Sequence, residues 1–464
     1  MALPVPVQRQ REVVCLPASG HQVVLGTAGS GKTTMAILRA AYLSDPDLPE
    51  HGRTLLLTYN KALCAYIRAL AARELRGVTV EHYHKFARGY LASRGKMRRN
   101  SIISGNARDL VITGAIQDAN ALHAHSPLFS RPLNFFSSEI GWLEKHGVDS
   151  LQDYESQSRT GRAEARLERR MRRQMWDVYE AYLRRRARAG YDYDWDDLAS
   201  TALKELAADG EPRRYRHIVI DEGQDLSPVI LRSLASAIPV NGSITFFGDV
   251  AQQIYGHRMS WRSAGLRPGR VWQFTENYRN SREIAALGLA ISRMPYYAGI
   301  PDMVAPTAPN AAGPKPTLVN LPDEKSETAF FVDQATRLSR TQSVAILVRT
   351  VRQLEEVRTR LPQTVINLRN ESEQWVAGPR LFVGTYHSAK GLEFDAVVLP
   401  YLSDNLFPDP QAVHDFGHQE AQATDGRLLY VGVTRARTSL IITYSGTPCA
   451  LLPDTPSLYT VVRR

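Results

Sequence analysis

Val23-Val24-Leu25-Gly26-Thr27-Ala28-Gly29-Ser30-Gly31-Lys32-Thr33-Thr34 is the stretch whose reading decides the fold. A short apolar run, Val23 to Leu25, enters a loop with glycine at 26, 29 and 31. Lys32 and Thr33 then open the apolar, alanine-rich helical run Met35 to Tyr42. Strand, glycine-rich loop and helix in this order match the phosphate-binding pattern G-x-x-x-x-G-K-[ST]. Triphosphate oxygens need many donors close together. The backbone of Gly26, Thr27, Ala28, Gly29, Ser30, Gly31 and Thr34 can wrap them where no Cβ intrudes, and the helix N-terminus adds partial positive charge. Lys32 is expected to reach the β- and γ-phosphates, and the Thr33 hydroxyl to ligate Mg2+.

The chain has 464 residues, more than one hydrophobic core supports, so two to four domains are expected. Hydrophobic residues at 43% and charged residues at 22% read as an ordinary globular protein. Lys and Arg outnumber Asp and Glu by 57 to 47, and the resulting +10 favours a polyanionic partner. Cys15, Cys64 and Cys449 lie far apart without C-x-x-C spacing, which excludes a disulfide framework or zinc ribbon and fits a reducing compartment. The opening MALPVPVQRQR lacks the apolar core of a signal peptide, and no run reaches membrane-spanning length. A cytoplasmic protein with no membrane partner is expected.

Upstream of the loop, Gln10 can offer an amide donor and acceptor to an adenine edge. Downstream, Arg53 to Tyr59 and Val78 to Val80 are apolar strands separated by a helical run, which argues a parallel α/β sheet. Ligands gather at the carboxyl ends of such strands, where Thr58, Asn60, Lys61 and His84 fall.

Residues 90 to 210 lose the strand signal and become helical and basic, with Arg159, Arg162, Arg166, Arg169, Arg170, Arg172, Arg173, Arg184, Arg185, Arg186 and Arg188. These fit either a solvated helix face or a surface that tracks a phosphate backbone. The aspartates of Tyr191 to Asp197 are expected to cap the next helix.

His217 to Ile220 is a buried-type strand running into Asp221-Glu222-Gly223-Gln224-Asp225. Asp221 there can hold Mg2+, and Glu222 can act as the base that polarises an attacking water. The strand Ser243 to Phe247 leads to Gln252, placed to sense a γ-phosphate, and to Tyr255, Trp261 and Arg262, an aromatic and basic cluster suited to stacking unpaired bases. Residues 300 to 325 read as a linker or surface loop. Ser343 to Val348, Thr364 to Leu368, Ala396 to Leu399 and Ser439 to Tyr444 read as strands of a second α/β layer.

Taken in order, RQREVV, GTAGSGKT, LLLTYNKAL, the HKF segment, DEGQD, GDVAQQIYG, ENYR, TYHSAKGLEFD and LLYVGVTRAR resemble the motif series of superfamily 1 helicases of the UvrD/Rep type. The resemblance spans nearly the whole chain. It implies two RecA-like parallel-sheet motor domains, with ATP in the cleft between them and single-stranded DNA across their top, moving 3′ to 5′. The first domain is expected over 1–90 and 211–275, a helical basic insertion over 91–210, and the second domain over 276–464.

Residue by residue, the resemblance makes Gln10 the adenine reader, Lys32 the phosphate lysine, Thr33 and Asp221 the Mg2+ holders and Glu222 the base. Gln252 becomes the γ-phosphate sensor. Tyr278 stacks on adenine, Arg279 and Arg435 are the arginines that the second domain presents to the γ-phosphate, Glu393 contacts the ribose, and Gly391 lies in the same nucleotide motif. Thr58, Asn60, Lys61, His84, Tyr255, Trp261, Arg262, Tyr386 and His387 match DNA-contact positions.

Two departures stand out. Thr34 occupies a position where larger relatives carry an adenine-covering arginine, with Arg39 as a substitute. The stretch from Arg279 to Thr385 leaves little room for the large regulatory insertion of the second domain. The expected activity is a DNA-dependent ATPase that translocates and unwinds at single-strand/duplex junctions. The alternative is an ATP-gated DNA-binding module, or a translocase that unwinds only with a protein partner.

Overall fold

A computed structural model describes residues 3, 5–7, 9–123, 126–157, 167–249, 261–297, 311–369, 375 and 378–464. Gln252, Tyr255, Arg159, Arg162 and Arg166 lie outside the described residues. The first domain contains strands β1 (Gly20–Gly26), β2 (Thr54–Thr58) and β3 (Val78–His82). A mainly helical segment follows, with the two-residue strands β4 (Ile102–Ile103) and β5 (Tyr193–Asp194), and the domain resumes with β6 (His217–Ile220), β7 (Ser243–Gly248) and β8 (Pro268–Phe274). Among the described residues the main sheet runs β3-β2-β6-β7-β1-β8, with parallel pairing throughout. Such a sheet is covered on both faces, which is why Leu55 to Leu57 and Ile218 to Ile220 are continuous apolar runs without solvent exposure.

The loop after β1 bends because two glycines take left-handed backbone, Gly29 at φ +77° and Gly31 at φ +82°. Gly29 is also pressed from the other side: a Cβ there would sit 2.1 Å from Asn277 Oδ1. The loop thus fits under the segment that follows β8 and leads into the second domain.

The second domain is another parallel sheet, built from β9 (Thr317–Leu321), β10 (Ser343–Val348), β11 (Ile366–Asn367), β12 (Arg380–Thr385), β13 (Phe394–Leu399), β14 (Ala436–Ser445) and β15 (Thr460–Arg463). Its order is β11-β12-β10-β13-β14-β9-β15. The expectation of a linker over 300 to 325 fails for its last third. Thr317–Leu321 is an interior strand, paired with β14 on one side and β15 on the other. The proline-rich approach hid a short run whose Leu318, Val319 and Leu321 are buried.

The helical segment has its own core, with Phe135, Phe136, Tyr154 and Tyr182 fully buried. Several of its arginines serve that core. Arg172 Nη1 donates to the Tyr154, Glu155 and Gln157 carbonyls, and Arg186 meets Asp197 at 2.6 Å in a buried pair. Arg185 is held by Asp118 at 2.6 Å. Arg169, Arg170, Arg173, Arg184 and Arg188 remain on the surface. No helix among the described residues is long and apolar enough to cross a membrane.

One apolar cluster crosses the boundary between the sheets, joining Val24, Leu56, Leu63 and Phe247 to Phe382, Leu392, Val397 and Tyr430. Gly391, at φ +81°, lies so close that a Cβ would sit 2.4 Å from the Leu63 side chain. The two sheets therefore face one another across a packed seam, with the carboxyl end of β1 beside it.

Candidate functional site: a phosphate-binding cleft between two domains

Lys32 opens the helix Lys32–Ser44 and is only 7% exposed. Its Nζ donates to the Gly26 carbonyl at 2.9 Å and the Thr27 carbonyl at 2.7 Å, and lies 3.8 Å from Asp249. Burial lowers its pKa, while Asp249, Glu222 and Asp221 hold the proton on. The ammonium is folded onto its own loop, where phosphate oxygens would replace the carbonyls. Thr27, Ala28 and Ser30 are buried in that loop, and Ser30 Oγ has no hydrogen bond.

Asp221 follows β6 and is wholly buried. Burial and the neighbouring Glu222 charge raise its pKa, and the facing Thr33 hydroxyl opposes that rise. A buried carboxylate facing a threonine hydroxyl is an all-oxygen donor set that fits a hard divalent cation such as Mg2+.

Glu222 sits in left-handed backbone at φ +55°, which turns its side chain away from the strand direction. Gln224 Nε2 donates to Glu222 Oε2 at 2.6 Å, and Gln224 Oε1 accepts the Asp249 N–H at 3.0 Å, so one amide ties the ends of β6 and β7 together. Burial works to raise the Glu222 pKa. Lys390, Arg435, Lys32 and the Gln224 hydrogen bond outweigh it and leave the carboxylate below its ordinary range. Two of those three cations belong to the second domain.

Arg435, at the end of the helix His418–Thr434, is fully buried. It donates to the Val431 and Leu392 carbonyls, each at 3.2 Å. Burial and the Arg279 charge push its pKa down to about 10, against Glu222, Glu393 and Asp249. Arg279 points elsewhere: its Nη2 meets Glu393 Oε1 at 2.6 Å. The residues matched to phosphate and ribose are therefore paired with each other here. Sequence reading missed Lys390 and Asp225, which form a 2.6 Å ion pair between the domains with both side chains at zero exposure. Both lay within quoted motifs, but nothing in either stretch names a partner 165 positions away.

On the base side, Gln10 Nε2 donates to the Ser30 carbonyl at 3.1 Å, so the glutamine reaches the loop. Tyr278 is 62% exposed, and its backbone N–H donates to the Gly29 carbonyl at 2.9 Å. Thr34 is half-buried. Arg39 is no substitute for an adenine-covering arginine. Its guanidinium is fully buried and donates to the carbonyls of Val14, Leu16 and Pro17 and to Thr245 Oγ1, which fastens the N-terminal helix to the sheet.

The residues matched to DNA contacts divide. Lys61 and Arg262 are exposed. Asn60 caps the helix Lys61–Leu70, accepting the Leu63 N–H at 2.8 Å, and leaves its Nδ2 without a partner, while the neighbouring Thr58 hydroxyl is buried and also unpaired. Trp261 packs edge-on against Phe246 at 5.1 Å. Tyr386 has no exposed surface and lies under Phe407 and Gly432, so it is a core residue rather than a presented ring. His387 is half-buried, and its pKa is driven down to about 3 by burial and by Arg349 and Lys390, which keeps it neutral. His84 is tied to the Trp195 backbone by a hydrogen bond, and burial lowers its pKa against the pull of Asp196. Asp197 stands at the helix start as expected, yet its carboxylate accepts the Asp194 N–H and pairs with Arg186 instead of capping.

Comparison with known proteins follows the same division of the chain. Residues 7–266 match the UvrD/REP helicase N-terminal domain model, and residues 364–447 match the UvrD-like helicase C-terminal domain model. A probable DNA helicase II homolog of Rickettsia conorii is 30% identical over 125 residues, covering 27% of this chain and 18% of that protein. The ATP-dependent DNA helicase UvrD2 of Mycobacterium tuberculosis is 23% identical over 559 positions, covering 94% of this chain and 78% of the relative. A probable DNA helicase of Mycoplasma pneumoniae is 23% identical, over 91% of this chain and 80% of its own length. The N-terminal model alone covers more than half of the chain, and its limits enclose Lys32, Asp221 and Glu222, while the C-terminal model encloses Lys390 and Arg435: this protein belongs to the UvrD/REP helicase family.

Proposed function

We propose that this chain is a DNA-dependent ATPase that moves 3′ to 5′ along single-stranded DNA and unwinds duplex at single-strand/duplex junctions. The observation that carries the reading is the convergence of Lys32, Lys390 and Arg435, drawn from both domains, on the one carboxylate of Glu222. Lys32 would bind the terminal phosphates of ATP, and Thr33 and Asp221 would hold Mg2+, which neutralises phosphate charge when bound. Glu222 would orient and deprotonate the attacking water. Arg435, with Arg279 once released from Glu393, would stabilise the charge that develops on the γ-phosphate. Arginines supplied from the opposite domain act only when the cleft shuts, so hydrolysis and domain movement become one event. That coupling turns hydrolysis into stepping. The reading places the motor in the cytoplasm with its DNA.

A second version is favoured by one observation. The alignment with UvrD2 runs over 559 positions, more than the 464 residues here, so that relative has segments without a counterpart in this chain. A compact translocase whose strand separation is activated by a protein partner fits this. Unwinding of a 3′-tailed duplex beside a 5′-tailed one, with ATPase rates followed with and without single strands, tests both versions. DNA-stimulated hydrolysis with unwinding of the 3′-tailed substrate supports the first, and stimulation without unwinding supports the second. No stimulation by DNA would refute the motor.

A further inference from the structure

Arg435 sits at the break between the helix His418–Thr434 and β14, which begins at Ala436. A helix end leaves its last carbonyls without partners inside the helix. Here the carbonyls of residues 434 to 437 are each held from outside. Asn280 Nδ2 donates to the Thr434 carbonyl at 3.3 Å and also to the Ala436 carbonyl. The Phe394 N–H donates to the Arg435 carbonyl at 3.0 Å, and the Ser281 N–H to the Arg437 carbonyl at 2.9 Å. A single buried amide, that of Asn280, thus grips the main chain on both sides of Arg435.

A second amide fixes which way the first one points. Asn277, also buried, accepts two backbone N–H groups at its Oδ1, from Arg279 at 3.0 Å and from Asn280 at 3.1 Å. That leaves its Nδ2 to face Asn280, where it donates to Oδ1 at 2.8 Å. An amide has one accepting end and one donating end, so the Asn280 Nδ2 is directed at the two carbonyls beside Arg435. The Asn277 Oδ1 also lies against Gly29 of the phosphate loop, and the next residue, Tyr278, donates its N–H to the Gly29 carbonyl at 2.9 Å. Two side chains three positions apart therefore connect the phosphate loop, the Arg279 main chain and the Arg435 main chain.

We propose that Asn277 and Asn280 are a positioning relay for the hydrolytic reaction: registered on the phosphate loop at Gly29, they set the main chain of Arg279 and Arg435 and so the approach of both guanidinium groups to the γ-phosphate. The proposal rests on the reading of those arginines as γ-phosphate groups and adds two residues to which that reading gives no part. Their effect passes through the arginines, so they govern the rate of hydrolysis and not the binding of ATP.

DNA-stimulated phosphate release by Asn280→Asp, which keeps the size of the side chain and removes its N–H donors, tests this. A misplaced reacting group costs on the order of a hundredfold in rate, so kcat is expected to fall by about that factor while the KM for ATP stays within about threefold. Single-turnover hydrolysis then compares Asn280→Asp with the Arg435→Ala, Asn280→Asp double variant. Residues that act as a unit are not additive, so in the Arg435→Ala background the Asn280 substitution should cost no more than about twofold. Asn280→Ser, which keeps one donor, is put through the same comparisons if Asn280→Asp does not fold. A wild-type kcat in a folded Asn280→Asp protein, or an equal fractional loss with and without Arg435, would overturn the relay while leaving the roles of the arginines intact. A wild-type rate in Arg435→Ala alone would overturn the reading on which the relay rests.

Discussion

Asp225 and Lys390 meet at 2.6 Å across the boundary between the two domains, with both side chains at zero exposure. Asp225 closes the turn that follows Asp221, and Lys390 lies in the loop after β12. Among the cations near Glu222, the same lysine does most to draw its pKa down. One buried pair therefore joins the seam between the domains to the charge state of the Glu222 carboxylate.

Removing one partner leaves a buried charge uncompensated, which costs about 3–5 kcal/mol, whereas replacing both removes the uncompensated charge. Lys390→Met and Asp225→Asn should each lower denaturant stability markedly, and the double variant should recover much of the loss. A double-mutant cycle measures this. Additive losses would mean that the two residues are not coupled in solution.

Glu222→Gln keeps the shape of the side chain and removes the proposed base. ATP and single-strand binding should persist while phosphate release falls about 10²–10⁴-fold. Steady-state phosphate release beside equilibrium ATP binding checks the separation. Normal turnover in this variant would refute the assignment of Glu222.

The cysteines give an independent check on the cores. Cys15 is exposed, while Cys64 and Cys449 are buried, and burial pushes their thiols up to about 11 and about 12. Thiolates are the reactive form. Under native conditions a thiol reagent should label Cys15 rapidly, and the other two only on unfolding. Rapid labelling of all three would show that the apolar cluster to which Cys64 and Cys449 belong opens freely.

Local chemistry was legible in the sequence where a motif completes itself over a few residues. The glycines of the phosphate loop, the Asp221-Glu222 pair after an apolar strand and the strand Ser343–Val348 each carry their reason within one stretch. Long-range partnerships were not. Arg39 looks like any helix arginine until its carbonyl acceptors, more than twenty positions away, are brought to it. Tyr386 lies in a motif that resembles a DNA contact, and only packing under Phe407 and Gly432 shows its ring to be core. Thr317–Leu321 was hidden by its proline-rich approach, and its place between β14 and β15 depends on the whole second sheet.

The central claim is that one nucleotide is cleaved by groups from both domains at once. The most direct measurement is DNA-stimulated phosphate release by Arg435→Ala, with ATP affinity measured on the same preparation and Arg435→Lys as the control that preserves charge. The account predicts a fall of about a thousandfold or more in rate with ATP affinity changed only slightly, and little rescue by lysine, which lacks the planar fork of donors. A folded Arg435→Ala protein that hydrolyses ATP at the wild-type rate would contradict it.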